Sequence, residues 1–461
     1  MNARISIESA IAANRFGLGA GKGDLARINE DPQAWLLKQL PGPSRLPSGI
    51  ASLAGTAKIL VDMDRARELR NEAKKNDQAK PSGADSLGRT IRSYYMEGLN
   101  ARFVNSAETE LPFHERLVHF WNNHFAVSAD KPPLPALAGA FENEAIRPNI
   151  SGKFSDLLLA VETHPAMLLY LDNQRSIGPN SEAGRRANRR NAKRSLGLNE
   201  NLAREILELH TLGVDGGYSQ EDVTQFAEAI TGWSIGGGRG RRPAGTPGKF
   251  HFRSEVHEPG KVSVLGRTYS QKGMAQGKAV LADLASHPST ARHIAEKLSR
   301  HFVADEPPAA LIDELSKVFL ESGGDLPAVH AALVRAEASW RSPLTKYKTP
   351  EDFVISTFRA FRHVPKDART VFTALEAMGQ ATYQPGSPAG WPDTAEHWGG
   401  ADSLYKRIEW SDAVAQKAGR RANPLQLGES VLGPVLGDHT RTAIARAESL
   451  QQGMTLLLVS P

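Results

Sequence analysis

The chain of 461 residues contains no cysteine. That absence excludes disulfides, thiolate nucleophiles and cysteine-ligated zinc or iron–sulfur centres. Long apolar runs are missing as well. Nothing approaches the roughly 18 consecutive apolar residues of a membrane span, so no transmembrane segment is expected. The opening MNARISIESAIAANRFGLGA has no twin-arginine pair and no basic stretch leading into a long apolar one. It does not read as a secretory signal, and the expectation is a cytoplasmic protein. Periplasmic or other export stays open through a partner or through a signal outside the sequence. Catalytic signatures are scarce too. There is no Gly-x-Ser-x-Gly elbow for a serine nucleophile and no dinucleotide fingerprint. The glycine-rich RFGLGAGKGD at 15–24 lacks both a preceding strand and the Lys-Ser/Thr ending of a phosphate loop.

Positive charge is in excess at one place only. The formal net charge is +5, and Arg175–Arg194 holds seven basic residues against one acid. Without that stretch the chain would carry −1, so nucleic acid is not an expected partner. Residues Ile177–Asn191 read as an exposed, solvated loop. The alternative is a contact with a polyanionic substrate or an acidic partner surface.

What the chain does have is helical periodicity. The expected fold is mainly α: a multi-helix globular fold with one small β-hairpin and long irregular loops. The hairpin is placed at Lys249–Arg253 and Lys261–Thr268, with His257-Glu258-Pro259-Gly260 between the strands. Three regions are expected within one compact unit. They are an N-terminal helical region (1–110), a helical core carrying a central motif (111–365), and a C-terminal aromatic loop with helices (366–461).

The central motif is NENLAREILELHTLGVDGGYS at 199–219. Asn199 can cap the helix that follows. Leu202, Ile206 and Leu209 recur at helical spacing and face a core, and Glu205 and His210 share that side. Gly213, Gly216 and Gly217 end the helix. A carboxylate and an imidazole on an apolar face are costly unless paired or used. A buried ion pair with Arg204 or another base is the structural alternative. A second informative helix is Leu111–Phe125, where Leu117, Phe120, Trp121 and His124 share a face. His114 and His119 are five apart, one too many for a His-Glu-x-x-His zinc site. The alternative for His124 is a core histidine bonded to a carbonyl.

Glu205, His210, His124 and His257 are therefore the candidate catalytic residues. The same four are candidate ligands for a divalent transition metal. Without metal, they could do general acid–base work. Spacing does not demonstrate a metal, because Glu205 precedes His210 by five and the Glu-x-x-His of di-iron bundles is absent. Trp121, Arg204, Trp233 and Trp391 are the candidate substrate contacts. Trp391 lies in Gly379–Gly400, an irregular stretch with Tyr383, His397 and Trp398 that could cover a cleft or cap a core.

Several segments carry a resemblance to a known family. NENLAREILELHTLGVDGGYSQEDV, followed by ITGWS, is similar to the signature of the bacterial family called domain of unknown function 1800. ANRFGLGA, ERLVHFWNNHFAVS, FHF with VHEPGK, KLSRHFVADEPP, YKTPEDFVIS and PAGWP follow the same pattern in the same order. The resemblance implies a largely helical, often exported protein, commonly encoded beside secreted phosphatase- or sulfatase-like proteins. It also implies a histidine more often where Asn122 stands, and an aspartate where Glu258 stands. A ligand or base role at position 122 is therefore in doubt for this chain.

Two functional classes remain. One is a hydrolytic or metal-assisted enzyme with its site inside the helical core. The other is a non-catalytic partner or maturation factor for a neighbouring secreted phosphatase- or sulfatase-like protein.

Overall fold

The computed structural model describes residues 4–75, 86–189, 197–237, 244–341, 344–364, 367–418 and 422–460. The chain is mainly α-helical, with 62% of the described residues in helices. Local chemistry explains many of the helix starts. Thr349 Oγ1 accepts from the Asp352 amide at 3.2 Å while Pro350 opens the helix Pro350–Phe361. His164 and His287 do the same with their Nδ1 atoms, each before a proline. The His164-Pro165 break thus separates Phe154–Glu162 from Pro165–Tyr170. No helix among the described residues is long and apolar enough to cross a membrane.

Among the described residues, three helices change from α to π geometry partway along. The π segments are Ala12–Phe16, Glu142–Ile146 and Ile206–His210. Such wide turns recur at functional sites, because they re-aim side chains that an α-helix would place elsewhere. Here they carry Arg15, Glu142 and His210, all buried.

The principal core runs from Ile11 to Leu457 and crosses both expected regional borders. A second apolar cluster joins Leu99 and Phe103 to Val354, Val371 and Tyr383. Between the helices Leu87–Glu108 and Leu134–Phe141, Gly98 meets Gly139. A Cβ on Gly139 would lie 3.2 Å from Gly98 Cα. That close approach brings Arg102, one turn beyond Gly98, onto Glu142, one turn beyond Gly139.

The strands differ from the expected hairpin. β1 (Trp233–Ile235) pairs antiparallel with β2 (Phe250–Phe252), and β3 (Val262–Val264) pairs with β4 (Arg267–Tyr269). The second pair closes on itself because Leu265 and Gly266 both take positive φ, the geometry of a two-residue hairpin turn. Phe250–Phe252 therefore does not pair with Lys261–Thr268.

The basic stretch is also more ordered than expected. Glu182–Arg189 is helical, and Ser176, Gly178 and Ser181 are buried. The cause is Glu258, which accepts from the Asn180 amide at 2.8 Å and from Asn180 Nδ2 at 2.7 Å. Gly178 donates to the Val256 carbonyl at 2.9 Å. Arg190 and Asn191, the polar stretch Asn76–Asp85 and part of the loop Gly236–Gly248 lie outside the described residues.

Candidate functional site

The helix Pro112–His124 enters the principal core on Phe113, Leu117, Phe120 and Trp121. Arg116, His119 and Asn123 follow one another at three and four residues and so share another side. They line a small cleft of about 60 Å³. His301 reaches it from the end of Pro288–Phe302, and Glu351 and Asp352 from the first turn of Pro350–Phe361. The segment holding Tyr383, Trp391 and Asp393 completes the wall. Asn123 clamps that segment, accepting from the Trp391 amide at 2.7 Å and donating to its carbonyl at 2.9 Å. Gly390, with φ +80°, allows the approach, since a Cβ there would lie 2.3 Å from the Asn123 carbonyl oxygen.

His301 and Asp393 form a dyad, with Nδ1 2.9 Å from Oδ1. Burial pushes the Asp393 carboxyl up, but His301, Lys346 and Lys297 outweigh it and bring it down to about 2. Asp393 is therefore ionised and accepts from Nδ1, so Nε2 is the ring nitrogen it leaves free. That Nε2 is buried and has no hydrogen-bond partner among the described residues. Arg116 stands across the cleft, 3.3 Å from Asp352, and its Nε is also without a partner among the described residues. Burial raises the Asp352 carboxyl, yet Arg116 and His301 hold it below its ordinary range.

The cleft rests on a buried ionic network. Arg102 forks onto Glu351 at 3.0 and 3.1 Å and pairs with Glu142. Arg147 pairs with Glu115 at 2.8 Å and with Glu142 at 3.3 Å, and Tyr383 Oη donates to Glu142 at 3.0 Å.

The residues singled out in the sequence lie largely elsewhere. His124 and His210 do meet: His124 Nε2 donates to the His210 carbonyl at 3.2 Å, and the rings are 6.3 Å apart. The carboxylate at His210 is Glu162, 2.8 Å from Nδ1, with both side chains fully buried. Glu205 stays half-buried, and no hydrogen bond or ion pair joins it to His210 among the described residues. Burial raises its pKa, with His210 opposing. His257 bonds instead to Thr231, 3.0 Å from its carbonyl. The expected four-residue set is therefore not assembled as a metal site. Among the described residues, no group of three or more His, Asp or Glu side chains is placed to hold a metal ion. Trp121 and Trp233 are fully buried in the core, and Arg204 pairs along its own helix with Glu200 at 3.1 Å. Of the expected site residues, Trp391 alone lines the cleft.

One contrast follows from the Glu162–His210 pair. Glu162→Ala should destabilise the fold by roughly 3–5 kcal/mol, because it strands a buried imidazole. Glu205→Gln should change stability by less than about 1 kcal/mol. Urea unfolding of the two variants decides, and equal losses would contradict this assignment.

His301, Asp393, Arg116 and Asp352 were not singled out, although the segments that carry them were. A signal for His301 did exist. His293, Lys297 and His301 recur every four residues along one helix, a polar stripe on an otherwise apolar-faced element. Its two ends reach different places. His293 lies 6.0 Å from the His124 ring, and His301 sits in the cleft.

Fold and site together define a mainly helical protein whose helices enclose a polar cleft lined by charged side chains. The chain belongs to the family described as Protein of unknown function (DUF1800), whose model matches residues 11–461. No curated protein and no solved structure matches it. Asn122, where the family resemblance implies a histidine, lines the cleft beside His301. Glu258, where it implies an aspartate, holds the Asn180 turn.

Proposed function

We propose that this chain is a hydrolytic enzyme whose general base is His301. The observation that carries this reading is the orientation of that imidazole. Asp393 holds Nδ1, while Nε2 is left buried and unbonded among the described residues, on the wall of a cleft. A base so placed takes a proton from water as the water oxygen attacks an ester centre. The leaving oxygen then receives that proton from the imidazolium. Arg116 offers an unpaired N–H to the negative charge that develops on the ester oxygen. Asp352 neutralises Arg116 through Nη2, and the Gly17 carbonyl holds Nη1 at 2.8 Å.

A panel of chromogenic carboxylic, phosphate and sulfate esters tests this. His301→Gln should lower turnover roughly 10²–10⁴-fold, the usual contribution of a general base. Its melting temperature should stay near that of the parent. Equal turnover by parent and variant, or none by the parent on any ester class, would sink the proposal.

The second reading, a non-catalytic partner of a secreted phosphatase- or sulfatase-like protein, has support of its own. Leu404, Tyr405 and Ile408 lie 44%, 60% and 41% exposed within about one turn of Ala401–Ala418. A stripe of large apolar side chains in solvent is the feature a partner surface would need.

A further inference from the structure

Behind the His301–Asp393 dyad lies a much larger cavity of about 630 Å³. It shares Arg116, His301, Asp352 and Asp393 with the cleft. Its volume falls in the ~300–1,000 Å³ range of small-molecule sites. Most of its far wall is apolar, built from side chains such as Phe302, Leu427, Val431 and Leu457. Five cations also line it, against two carboxylates that are already committed, Asp352 to Arg116 and Asp393 to His301.

Three of those cations have no ion-pair partner among the described residues. Arg15 is 6% exposed and donates to the Ser339 carbonyl. Arg407 is 5% exposed and donates to the Lys348 carbonyl, and its buried Nε has no partner among the described residues. Its guanidinium stacks 4.5 Å from the Tyr347 ring centre. Lys348 donates to Ser356 Oγ at 3.0 Å. Burial lowers the Lys348 ammonium to about 8, with Asp352 opposing. Buried charge without a counter-charge is costly. A ligand that brings both an anionic head and an apolar body satisfies the two walls at once.

We infer that this cavity binds an amphipathic anion, its head on Lys348 and Arg407 and its aliphatic or aromatic body against Val431 and Leu457. The shared wall places such a ligand beside His301. That the ligand is the hydrolysed substrate rests on the reading above; its binding does not.

Fluorescent probes test the inference. 8-Anilinonaphthalene-1-sulfonate is an aromatic anion, and N-phenyl-1-naphthylamine is its neutral counterpart. The folded parent should bind the sulfonate at one saturable site. Lys348→Met keeps the side-chain length and removes a half-buried, unpaired charge, so it should fold. It should weaken the sulfonate at least tenfold and the amine less than twofold. Sulfonate affinity should fall between pH 7 and pH 9 in the parent, as Lys348 loses its proton, and stay level in Lys348→Met. Val435→Trp, which fills the cavity, should remove both probes. Should it fail to fold, Lys348→Met decides alone. Displacement by dodecanoate, dodecyl phosphate and dodecyl sulfate separates carboxylate, phosphate and sulfate heads. Absence of saturable sulfonate binding, or equal affinity for both probes that Lys348→Met leaves unchanged, would overturn the inference. Binding retained in a parent that hydrolyses no ester would uphold this site and discard the hydrolytic reading.

Discussion

Replacing Arg102 with methionine should destabilise the protein more than any other single change at the cleft. Arg102 is buried and forks onto Glu351 while also pairing with Glu142. Burial alone would lower its pKa, but the two carboxylates outweigh it and raise the guanidinium well above its ordinary value. The reverse holds for Glu351, which burial raises and Arg102 pulls down. Methionine fills similar space and leaves Glu351 without its cation, while Glu142 keeps only Arg147 and Tyr383. Breaking a buried pair from one side costs about 3–5 kcal/mol, because the stranded charge stays buried. Glu351 is stranded here and Glu142 loses one of its three partners, so the loss should fall within that range. A domain's whole stability is typically about 5–15 kcal/mol.

The urea midpoint measures this effect directly. Adding Glu351→Gln to Arg102→Met should restore part of the loss, because it removes the stranded charge. A single variant within about 1 kcal/mol of the parent, or a double variant no better than the single, would show that the network contributes little. The same network carries a functional consequence. Arg102, Glu351 and Tyr383 line the cleft that holds His301, so a fold that survives Arg102→Met should still lose geometry at the dyad.

The helices and the site differ in how far the sequence exposes them. Apolar periodicity and proline-led starts, as at His164-Pro165 and Thr349-Pro350, made the mainly helical fold legible. The core position of Trp121 and His124 was legible too, and His124 does bond to a carbonyl. Pairing across distance was not. Glu162 and His210 are 48 positions apart, and His301 and Asp393 are 92 apart. Periodicity reports which face a residue occupies, never which other face it meets. Glu205 illustrates this, since helical spacing put it beside His210, whereas the π turn at Ile206–His210 re-aims the histidine and Glu162 takes the contact. The strands failed for a related reason. A two-residue turn at Leu265-Gly266 allowed a closer partner than the one alternation suggested.

Acid should unfold this protein well before most of its carboxylates protonate. Burial lowers His114 and His293 to about 4 and His330 to about 3, and holds His124 well below its ordinary range. An unfolded histidine titrates near 6.5. Between that pH and the folded values, the unfolded chain takes up protons that the folded chain refuses. Stability is therefore fully present above pH 6.5 and drains away as pH falls toward 4. For the nearly inaccessible His114 and His330, each full shift corresponds to on the order of 3–5 kcal/mol. Two such groups rival the net stability of a domain. Depressed carboxylates act later. Burial raises Glu115, but Arg147 outweighs it and holds it well below its usual range, so its contribution is lost only at lower pH. Urea midpoints measured from pH 8 to pH 4 should stay level to about 6.5 and then drop steeply. His114→Leu should reduce the slope of that drop and change little at pH 8, because the neutral ring has an unpartnered Nδ1 among the described residues. A midpoint that stays level down to pH 5, or a His114→Leu profile parallel to the parent's, would mean that these histidines protonate freely in the folded state.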